Sequence, residues 1–144
     1  DVAIVKLASN PMDDGIEPIP VHLEPPQSLA GQSIQAVGYG MTTADDYTNT
    51  LRWWVVLQVS YQWNSVYTVS GDGTTGTCQG DSGGPLLWDH FTDGVKVFGP
   101  LSSGDSEDCL GNSYYPRTDY YPNAEFIISH VFLSSKPTST RSTT

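Results

Sequence analysis

The chain has little positive charge and no long apolar run. Its 144 residues include six Lys and Arg against 16 Asp and Glu, so the formal net charge is −10. Six cations cannot offset the repulsion of nucleic-acid phosphates, which excludes nucleic acid as a partner. No apolar stretch approaches the length that crosses a bilayer, so we expect no membrane partner. Acidity of this degree bears on solubility and says little about the fold.

Glycine, proline and aromatic residues are plentiful instead. The chain holds 14 Gly, 10 Pro, 8 Tyr and 4 Trp, a composition that favours short strands and many turns. Apolar and polar residues alternate in 33–40 and in 51–60, and residues 85–88 and 95–101 are also predicted as strands. Apolar residues recur at helical spacing in 123–134. The sequence therefore predicts an all-β domain that ends in a helix.

One short segment points to a chemistry: residues 78–85, with the sequence CQGDSGGP. Ser82 lies there between an aspartate and two glycines, as in a tight turn. Glycine leaves room beside the serine, and its backbone freedom lets the turn aim N–H groups inward. Eight consecutive residues are a far more specific signal than an isolated G-x-S-x-G pattern. The segment resembles the nucleophile loop of the chymotrypsin/trypsin family of serine endopeptidases.

The resemblance implies an all-β, two-barrel chymotrypsin-like fold, of which this chain holds the C-terminal portion. The chain would supply the last strand of the first barrel, a Pro-rich linker, the second barrel, a C-terminal helix and a Ser/Thr-rich tail. In that interpretation the five parts occupy residues 1–10, 11–32, 33–122, 123–135 and 136–144.

The resemblance also assigns catalytic roles. Ser82 is the expected nucleophile, and the backbone N–H groups of Gly80 and Ser82 form the expected oxyanion hole. Residues 1–7, DVAIVKL, resemble the family's strand that begins with the triad aspartate, so Asp1 is expected to orient the catalytic imidazole. Asp81 is expected to pair with the N-terminal ammonium that zymogen cleavage frees.

No histidine of the chain fits the family's position for the base. His22 falls in the Pro-rich linker, His90 in a loop after the nucleophile strand and His130 in the predicted helix. In the family the base precedes the triad aspartate by about 45 residues. We therefore expect the histidine upstream of Asp1, and we expect these 144 residues to be inactive alone.

Cys78 and Cys109 are the two cysteines of the chain. The resemblance implies that they form the disulfide that joins the nucleophile loop to the wall of the primary specificity pocket. Closing a loop of about thirty residues in this way stabilises a fold by roughly 3–4 kcal/mol in the chain-entropy model. A disulfide implies an oxidising compartment, so a secreted protein is expected.

The same resemblance locates the floor of the specificity pocket. The key position lies two residues before the first cysteine, where this chain has Gly76. Thr77 and Gln79 are expected to contact substrate on either side of that cysteine. A preference for Arg or Lys requires an aspartate at the floor, because an unpaired buried cation is costly. Cleavage after Arg or Lys is therefore not expected.

Two further segments are expected to contact substrate. Ser102, Ser103 and Gly104 resemble the segment along which the substrate backbone pairs as an added strand, with Ser103 in place of the family's aromatic residue. The far wall of the pocket has two alternative registers. One places Tyr115 at the wall, which would shorten the pocket, and the other places Arg117 there, which would favour an acidic residue.

Two functions fit the sequence. The first is a secreted serine endopeptidase that acts on polypeptides, is open to protein inhibitors and needs no metal or cofactor. The second is an inactive protease-fold homologue that binds another protein. The combination of Asp1 with the Ser82 loop favours the enzyme, because a binding module has no need of a nucleophile in such a turn.

Overall fold

Strands dominate the computed structural model, which describes residues 1–24, 28–43, 47–90 and 94–132, with only the backbone described at 90 and 132. The one helix of the described part longer than a single turn follows the last strand. In chain order the elements are a short 3₁₀ helix (Pro11–Asp14), β1 (Ser33–Gly38), β2 (Trp53–Gln62), β3 (Val66–Ser70), β4 (Pro85–His90), β5 (Gly94–Pro100), β6 (Ser103–Gly104), β7 (Asn112–Pro116) and α1 (Tyr121–Phe132).

The strands form one antiparallel sheet in the order β5-β4-β1-β2-β3-β7-β6. The alternation predicted for 51–60 is present in β2, where Leu57 and Val59 are buried while Val56 and Gln58 are exposed. Successive side chains of a strand point to opposite faces, so β2 has one face on the core and one on solvent. The prediction of an all-β fold with a C-terminal helix is confirmed.

The sheet curls until its two ends approach each other. The Thr118 N–H, just after β7, donates to the carbonyl of Phe98 in β5 at 3.0 Å. Gly99 permits this approach, because a Cβ atom there would overlap the carbonyl oxygen of Pro116. The curled sheet encloses a core whose most buried large side chains are Tyr67, Tyr115, Phe98, Leu29, Ile34, Leu86, Val59 and Val69.

The Pro-rich segment is hydrogen-bonded to β5. Val21 forms a parallel bridge with Val97, whose N–H donates to the Pro20 carbonyl and whose carbonyl accepts from the His22 N–H, both at 2.9 Å. The Thr118 hydroxyl donates to the His22 carbonyl at 2.6 Å. Residues 2–7, predicted as a strand, form none among the described residues. A strand needs a neighbour, and the described sheet offers none to this segment.

Helix α1 begins at Tyr121, two residues before the predicted start. The Asn123 side-chain amide donates to the Arg117 carbonyl at 2.7 Å, and Ala124 and Ile127 are buried. The tail predicted at 136–144 lies outside the described residues. Within the described residues, no helix is both long and apolar enough to span a membrane.

Of the two histidines whose side chains the structure describes, His22 is the more buried. Its ring stacks on Phe98 with centroids 4.4 Å apart, and its Nε2 atom is buried without a hydrogen-bond partner in the described part of the chain. Burial lowers the pKa of this imidazole below its ordinary value of 6.5. Asp119 and Glu24 oppose that effect on the pKa, while Lys96 adds to it.

We expect acid to destabilise the fold through His22. Its pKa is lower in the folded than in the unfolded chain, so below about pH 6.5 the unfolded state takes up the proton first. The free energy of unfolding should therefore fall as the pH drops from about 7.5 to 5, and His22→Phe should reduce that fall while keeping the ring stack. Denaturant unfolding of the protein at several pH values measures this free energy. His130→Gln is the control, because His130 is exposed. Parallel pH profiles for the parent and His22→Phe would contradict the expectation.

Candidate active site

Ser82 lies in a tight turn between Cys78 and strand β4. The Asp81 N–H donates to the Cys78 carbonyl at 3.1 Å, and the Gly84 N–H donates to the Asp81 carbonyl at 2.8 Å. Gly80 has a φ of +92°, a conformation that residues with a Cβ rarely adopt. The turn leaves Ser82 exposed at its tip. We call residues 78–84 the serine loop.

The far side of the serine loop is attached to the end of β5. The Gly83 N–H donates to the Leu101 carbonyl, and the Leu101 N–H donates to the Gly84 carbonyl, both at 2.8 Å. Gly84 packs against backbone, since a Cβ there would lie 2.5 Å from the Val37 carbonyl oxygen. The backbone on both sides of Ser82 is thus held by the sheet.

The Asp81 side chain is held by two backbone amides. One carboxylate oxygen accepts from the Gly40 N–H at 2.7 Å, and the other accepts from the Cys78 N–H at 2.9 Å. Cβ atoms at Gly38 or Gly40 would overlap this carboxylate, so both glycines make room for it. The Met41 N–H adds a bond of 2.9 Å to the Gln79 carbonyl. These contacts lock the serine loop to residues 38–41.

The amides of Gly80 and Ser82 are left available. Neither N–H donates to another residue in the described ranges, and the Ser82 hydroxyl has no hydrogen-bond partner there either. Backbone N–H groups are strong donors that are rarely left without an acceptor away from water. Two such donors on either side of Asp81, beside an exposed hydroxyl, suit an oxygen atom that carries negative charge.

A pocket of about 410 Å³ opens beside Ser82. Its ionisable side chains, among the described residues, are Asp105 and Glu107, since both of its cysteines are in a disulfide. The remaining lining is neutral and mostly small. The full lining is Thr77, Cys78, Gln79, Ser82, Leu101, Ser103, Gly104, Asp105, Ser106, Glu107 and Cys109.

Strand β6 runs along this pocket and forms one edge of the sheet. Ser103 and Gly104 pair with Tyr114 and Ser113 of β7 on one side, and no strand of the described chain pairs with them on the other. The unpaired edge of a strand can accept an extended peptide as an additional strand. Ser103 and Gly104 are both exposed, so their backbone is accessible.

Cys78 and Cys109 form a disulfide, as predicted, with 31 residues of separation and Cα atoms 4.9 Å apart. The bond joins the start of the serine loop to the segment that precedes β7. Both half-cystines line the pocket beside Ser82, so the cross-link forms part of its wall.

The family model for trypsin matches residues 1–123. The chain belongs to the trypsin family. This is a family of serine proteases, whose substrates are polypeptides, and the curled antiparallel sheet with a C-terminal helix fits its barrel fold. A disulfide in a trypsin-like domain is typical of extracellular proteins. A comparison with curated proteins finds no match.

The structure does not bring Asp1 to Ser82. Asp1 is exposed and lines neither of the two described pockets that include Ser82. Residues 2–7 pair with no strand of the described sheet. The triad role that the trypsin-family pattern gives to Asp1 stays a prediction.

Tyr115 and Arg117 are the two residues considered for the far wall of the trypsin-family pocket. Tyr115 faces the core with 1% of its surface exposed, and burial, followed by the charge of Asp81, raises the pKa of its phenol. Arg117 binds Asp119 through two hydrogen bonds of 3.0 and 2.5 Å and lies over the Tyr67 ring at 5.2 Å. Neither residue is among the described lining of the pocket beside Ser82, and the identity of the far-wall residue stays a prediction.

Ser113 is the residue of β7 that sequence reasoning missed. It is 3% exposed, and its hydroxyl oxygen lies 2.7 Å from that of Thr77, which lines the pocket. Gly76, the expected floor, packs against the Cys109 carbonyl and faces a different pocket. Ser113 lies beside the pocket because it pairs with Gly104 in the β6–β7 ladder. No sequence pattern predicts this register.

Asp105 and Glu107 were also missed. The Asp105 carboxylate accepts from the Asn112 N–H at 2.7 Å, from the Asn112 side chain at 2.9 Å and from the Tyr114 hydroxyl at 3.0 Å. These bonds lower the pKa of Asp105, and they raise the pKa of Tyr114. Asp105 follows β6 directly and Glu107 lies two residues further on, which is the signal that could have placed them beside the pocket.

Proposed function

We propose that this chain carries the nucleophile and oxyanion hole of a secreted serine endopeptidase. The observation that carries the proposal is the pair of N–H groups of Gly80 and Ser82, which have no acceptor among the described residues and lie beside the exposed Ser82 hydroxyl. A pocket for a side chain and an edge strand for a backbone adjoin the same hydroxyl. These are the elements that acyl transfer from a peptide requires.

The chemistry would proceed in two acyl-transfer steps. The Ser82 Oγ attacks the carbonyl carbon of the scissile peptide bond while its proton passes to a base. The carbonyl oxygen becomes an oxyanion that the Gly80 and Ser82 N–H groups bind. The C–N bond then breaks, the base returns the proton to the leaving amine, and an ester on Ser82 remains. Water, deprotonated by the same base, hydrolyses the ester and restores the serine.

The base is proposed to be a histidine outside these 144 residues, with Asp1 as its orienting carboxylate. His22 stacks on Phe98, and His130 is on α1 with its Nδ1 atom 2.7 Å from the Phe126 carbonyl oxygen. The side chain of His90 lies outside the described residues. Neither pocket at Ser82 includes a histidine among its described lining residues.

Asp81 is proposed to be the partner of an N-terminal ammonium released by processing. A pocket of about 520 Å³ borders Asp81, Gly38 and Gly40, and its ionisable side chains in the described ranges are Asp81 and Asp108. A carboxylate inside an anionic pocket attracts a cation. An ammonium there would complete the set of donors around Asp81.

The pocket beside Ser82 is proposed to hold the side chain that precedes the cut. Its charge disfavours the acidic side chains that one of the two sequence registers would have selected. Arg117, which would have favoured an acidic residue, is bound to Asp119. The pocket itself presents the carboxyl groups of Asp105 and Glu107. Acidic substrate side chains would be repelled, so we propose that residues other than Asp and Glu precede the cut.

We expect a peptide with Gln before the scissile bond to be cleaved at least about tenfold more efficiently than the same peptide with Glu. Like charges a few ångströms apart repel by roughly 1–4 kcal/mol near a protein surface. The measurement is the ratio of kcat/KM for the Gln peptide to kcat/KM for the Glu peptide. Glu107→Gln should bring this ratio closer to one. Glu125→Gln, an exposed change on α1, is the matched control. Equal efficiencies for the two peptides would refute the role of the pocket charges.

The test of the proposed function is covalent labelling of the full-length, processed protein with a fluorophosphonate. The probe acts on a serine only where a base and an oxyanion hole activate it. We expect one label, mapped to Ser82 by mass spectrometry of the digested protein. A folded, processed protein that takes up no label would instead support the inactive, protein-binding homologue.

A further inference from the structure

Asn49 lies between β1 and β2 in the chain, half-buried, and both ends of its side-chain amide are hydrogen-bonded. The N–H₂ group donates to the Gly40 carbonyl at 2.7 Å, to the Leu51 carbonyl at 2.9 Å and, at 3.3 Å, to the Tyr39 carbonyl. Its carbonyl oxygen accepts from the Leu51 N–H at 3.0 Å and from the Trp53 indole at 3.1 Å. A primary amide is the side-chain group that supplies two donor hydrogens and an acceptor together, so these contacts require one.

One of these bonds leads to the serine loop. The Gly40 carbonyl that Asn49 binds shares its peptide group with the Met41 N–H. That N–H donates to the Gln79 carbonyl at 2.9 Å, and the Gln79 carbonyl shares its peptide group with the Gly80 N–H, the proposed oxyanion donor. Three amide groups are therefore hydrogen-bonded in series, from the Asn49 side chain to the peptide group that ends in the Gly80 N–H. We call this series the amide relay.

The peptide group between Gln79 and Gly80 depends on such contacts for its orientation. Gly80 has a φ of +92°, and because glycine adopts φ values of either sign, this peptide group is free to rotate at little steric cost. In a trans peptide group the carbonyl and the N–H point in opposite directions. The Met41 N–H, by holding the Gln79 carbonyl, therefore fixes the direction in which the Gly80 N–H points.

Gly40 is the residue through which Asn49 acts on the serine loop. Its N–H donates to the Asp81 carboxylate at 2.7 Å, and its carbonyl accepts from Asn49. A Cβ atom on Gly80 would lie 3.1 Å from the Gly40 Cα, so the two backbones are in close contact. Asp81 and Asn49 thus hold Gly40 at both of its polar atoms, and Gly40 has no side chain that could hold it in another way.

We propose that Asn49 is a positioning residue for the oxyanion hole, which orients and polarises the Gly80 N–H through the amide relay. The inference rests on the proposed function and deepens it, because it names a residue outside the serine loop on which transition-state binding depends. An oxyanion strengthens the hydrogen bond of the Gly80 N–H, which makes the Gln79 carbonyl a better acceptor. Hydrogen bonds in a chain strengthen one another in this way. Asn49 therefore contributes more in the transition state than in substrate binding.

The first experiment compares Asn49→Ala and Asn49→Asp in the full-length, processed protein. Ionised aspartate keeps the acceptor oxygen for Leu51 and Trp53 but cannot donate to Gly40. Each variant should lower kcat about tenfold, less than the 10²–10³ of losing an oxyanion donor outright, while KM changes less than about twofold. The rate of fluorophosphonate labelling should fall in the same proportion. Asn64→Ala, an exposed change between β2 and β3, is the matched control and should leave both rates unchanged.

The second experiment is an NMR measurement on the parent protein with a peptide aldehyde. The Ser82 Oγ adds to the aldehyde carbon and its proton passes to the base, which leaves a tetrahedral adduct with an oxyanion. We expect the Asn49 side-chain amide protons, assigned by their absence from the Asn49→Asp spectrum, to shift downfield in the adduct. The corresponding peptide alcohol, which forms no adduct, should not shift them. The aldehyde should also inhibit both Asn49 variants about tenfold more weakly, whereas inhibition by the alcohol should be unchanged.

Thermal unfolding shows whether the variants fold. Folded variants with kcat within about twofold of the parent would overturn the proposal, and so would a loss that appears in KM, which would assign Asn49 to substrate binding. Asn49 resonances that respond equally to aldehyde and alcohol would overturn it too. That comparison holds even if the alanine variant is unstable. A parent protein that takes up no label at Ser82 would refute the proposed function, whereas Asn49 variants that label as fast as a reactive parent would refute this inference alone.

Discussion

Replacing Ser82 with alanine in the full-length protein should lower kcat by a factor on the order of 10⁵–10⁶. The substitution removes the atom that forms the ester, while both oxyanion donors and the pocket remain. Catalysis should therefore fall to the residual level of transition-state binding alone, about 10³–10⁴ over water. The loss should appear in kcat with little change in KM, because the hydroxyl has no other described contact to lose.

Peptide hydrolysis and fluorophosphonate labelling together measure this result. Ser60→Ala is the matched control, since Ser60 is an exposed serine on β2 whose hydroxyl donates to the Thr68 carbonyl. Thermal unfolding should show that both variants fold. A Ser82→Ala protein that still takes up the label would assign the nucleophile to another residue.

The serine loop could be predicted from the sequence because its chemistry restricts nearly every position in it. Gly80 requires a positive φ, and Gly84 must leave space for a neighbouring carbonyl. Such requirements leave a readable signature in consecutive residues. The pairing of Cys78 with Cys109 needed no more than the family resemblance, since no other cysteine is available.

The position of β7 could not be predicted in this way. Asn112–Pro116 is short, contains proline and polar residues, and shows no apolar alternation. Its register is set by long-range pairing, in which Tyr115 lies opposite Tyr67 and Ser113 lies opposite Val69. Alternation along the strand then puts Ser113 and Tyr115 on the same, buried face. The choice between Tyr115 and Arg117 as pocket wall stayed open because the sequence does not show this partner strand.

The negative charge of the pocket beside Ser82 could not be predicted from the sequence for a related reason. Asp105 and Glu107 look like ordinary acidic loop residues in a chain with 16 carboxylates. Only the return of the chain from β6 to β7 brings Asp105 onto Asn112 and Tyr114. Contacts between segments that are separated in sequence decide the electrostatics of a site, and composition does not reveal them.

The Asp81 carboxylate is expected to be the most important residue of the site that never touches substrate. It holds the amides of Gly40 and Cys78, and through them it holds the serine loop against residues 38–41. The Gly80 N–H belongs to the same peptide group as the Gln79 carbonyl, and that carbonyl accepts a hydrogen bond from the Met41 N–H. Loss of the carboxylate would leave the partly buried amides of Gly40 and Cys78 without their acceptor.

Asp81→Ala should therefore lower kcat by about 10²–10³, the cost of losing one well-placed oxyanion donor. Asp81→Asn should lose less, since its amide oxygen can still accept one of the two bonds. The rate of fluorophosphonate labelling should fall together with kcat, because both depend on the Gly80 and Ser82 donors, whereas KM for a peptide bound along β6 should change little. Asp108→Ala is the matched control: Asp108 lines the same 520 Å³ pocket, and its described bonds are those it accepts from the Ser106 hydroxyl and the Leu110 N–H. A folded Asp81→Ala protein with kcat within about threefold of the parent would show that the disulfide and the sheet contacts alone orient the donors.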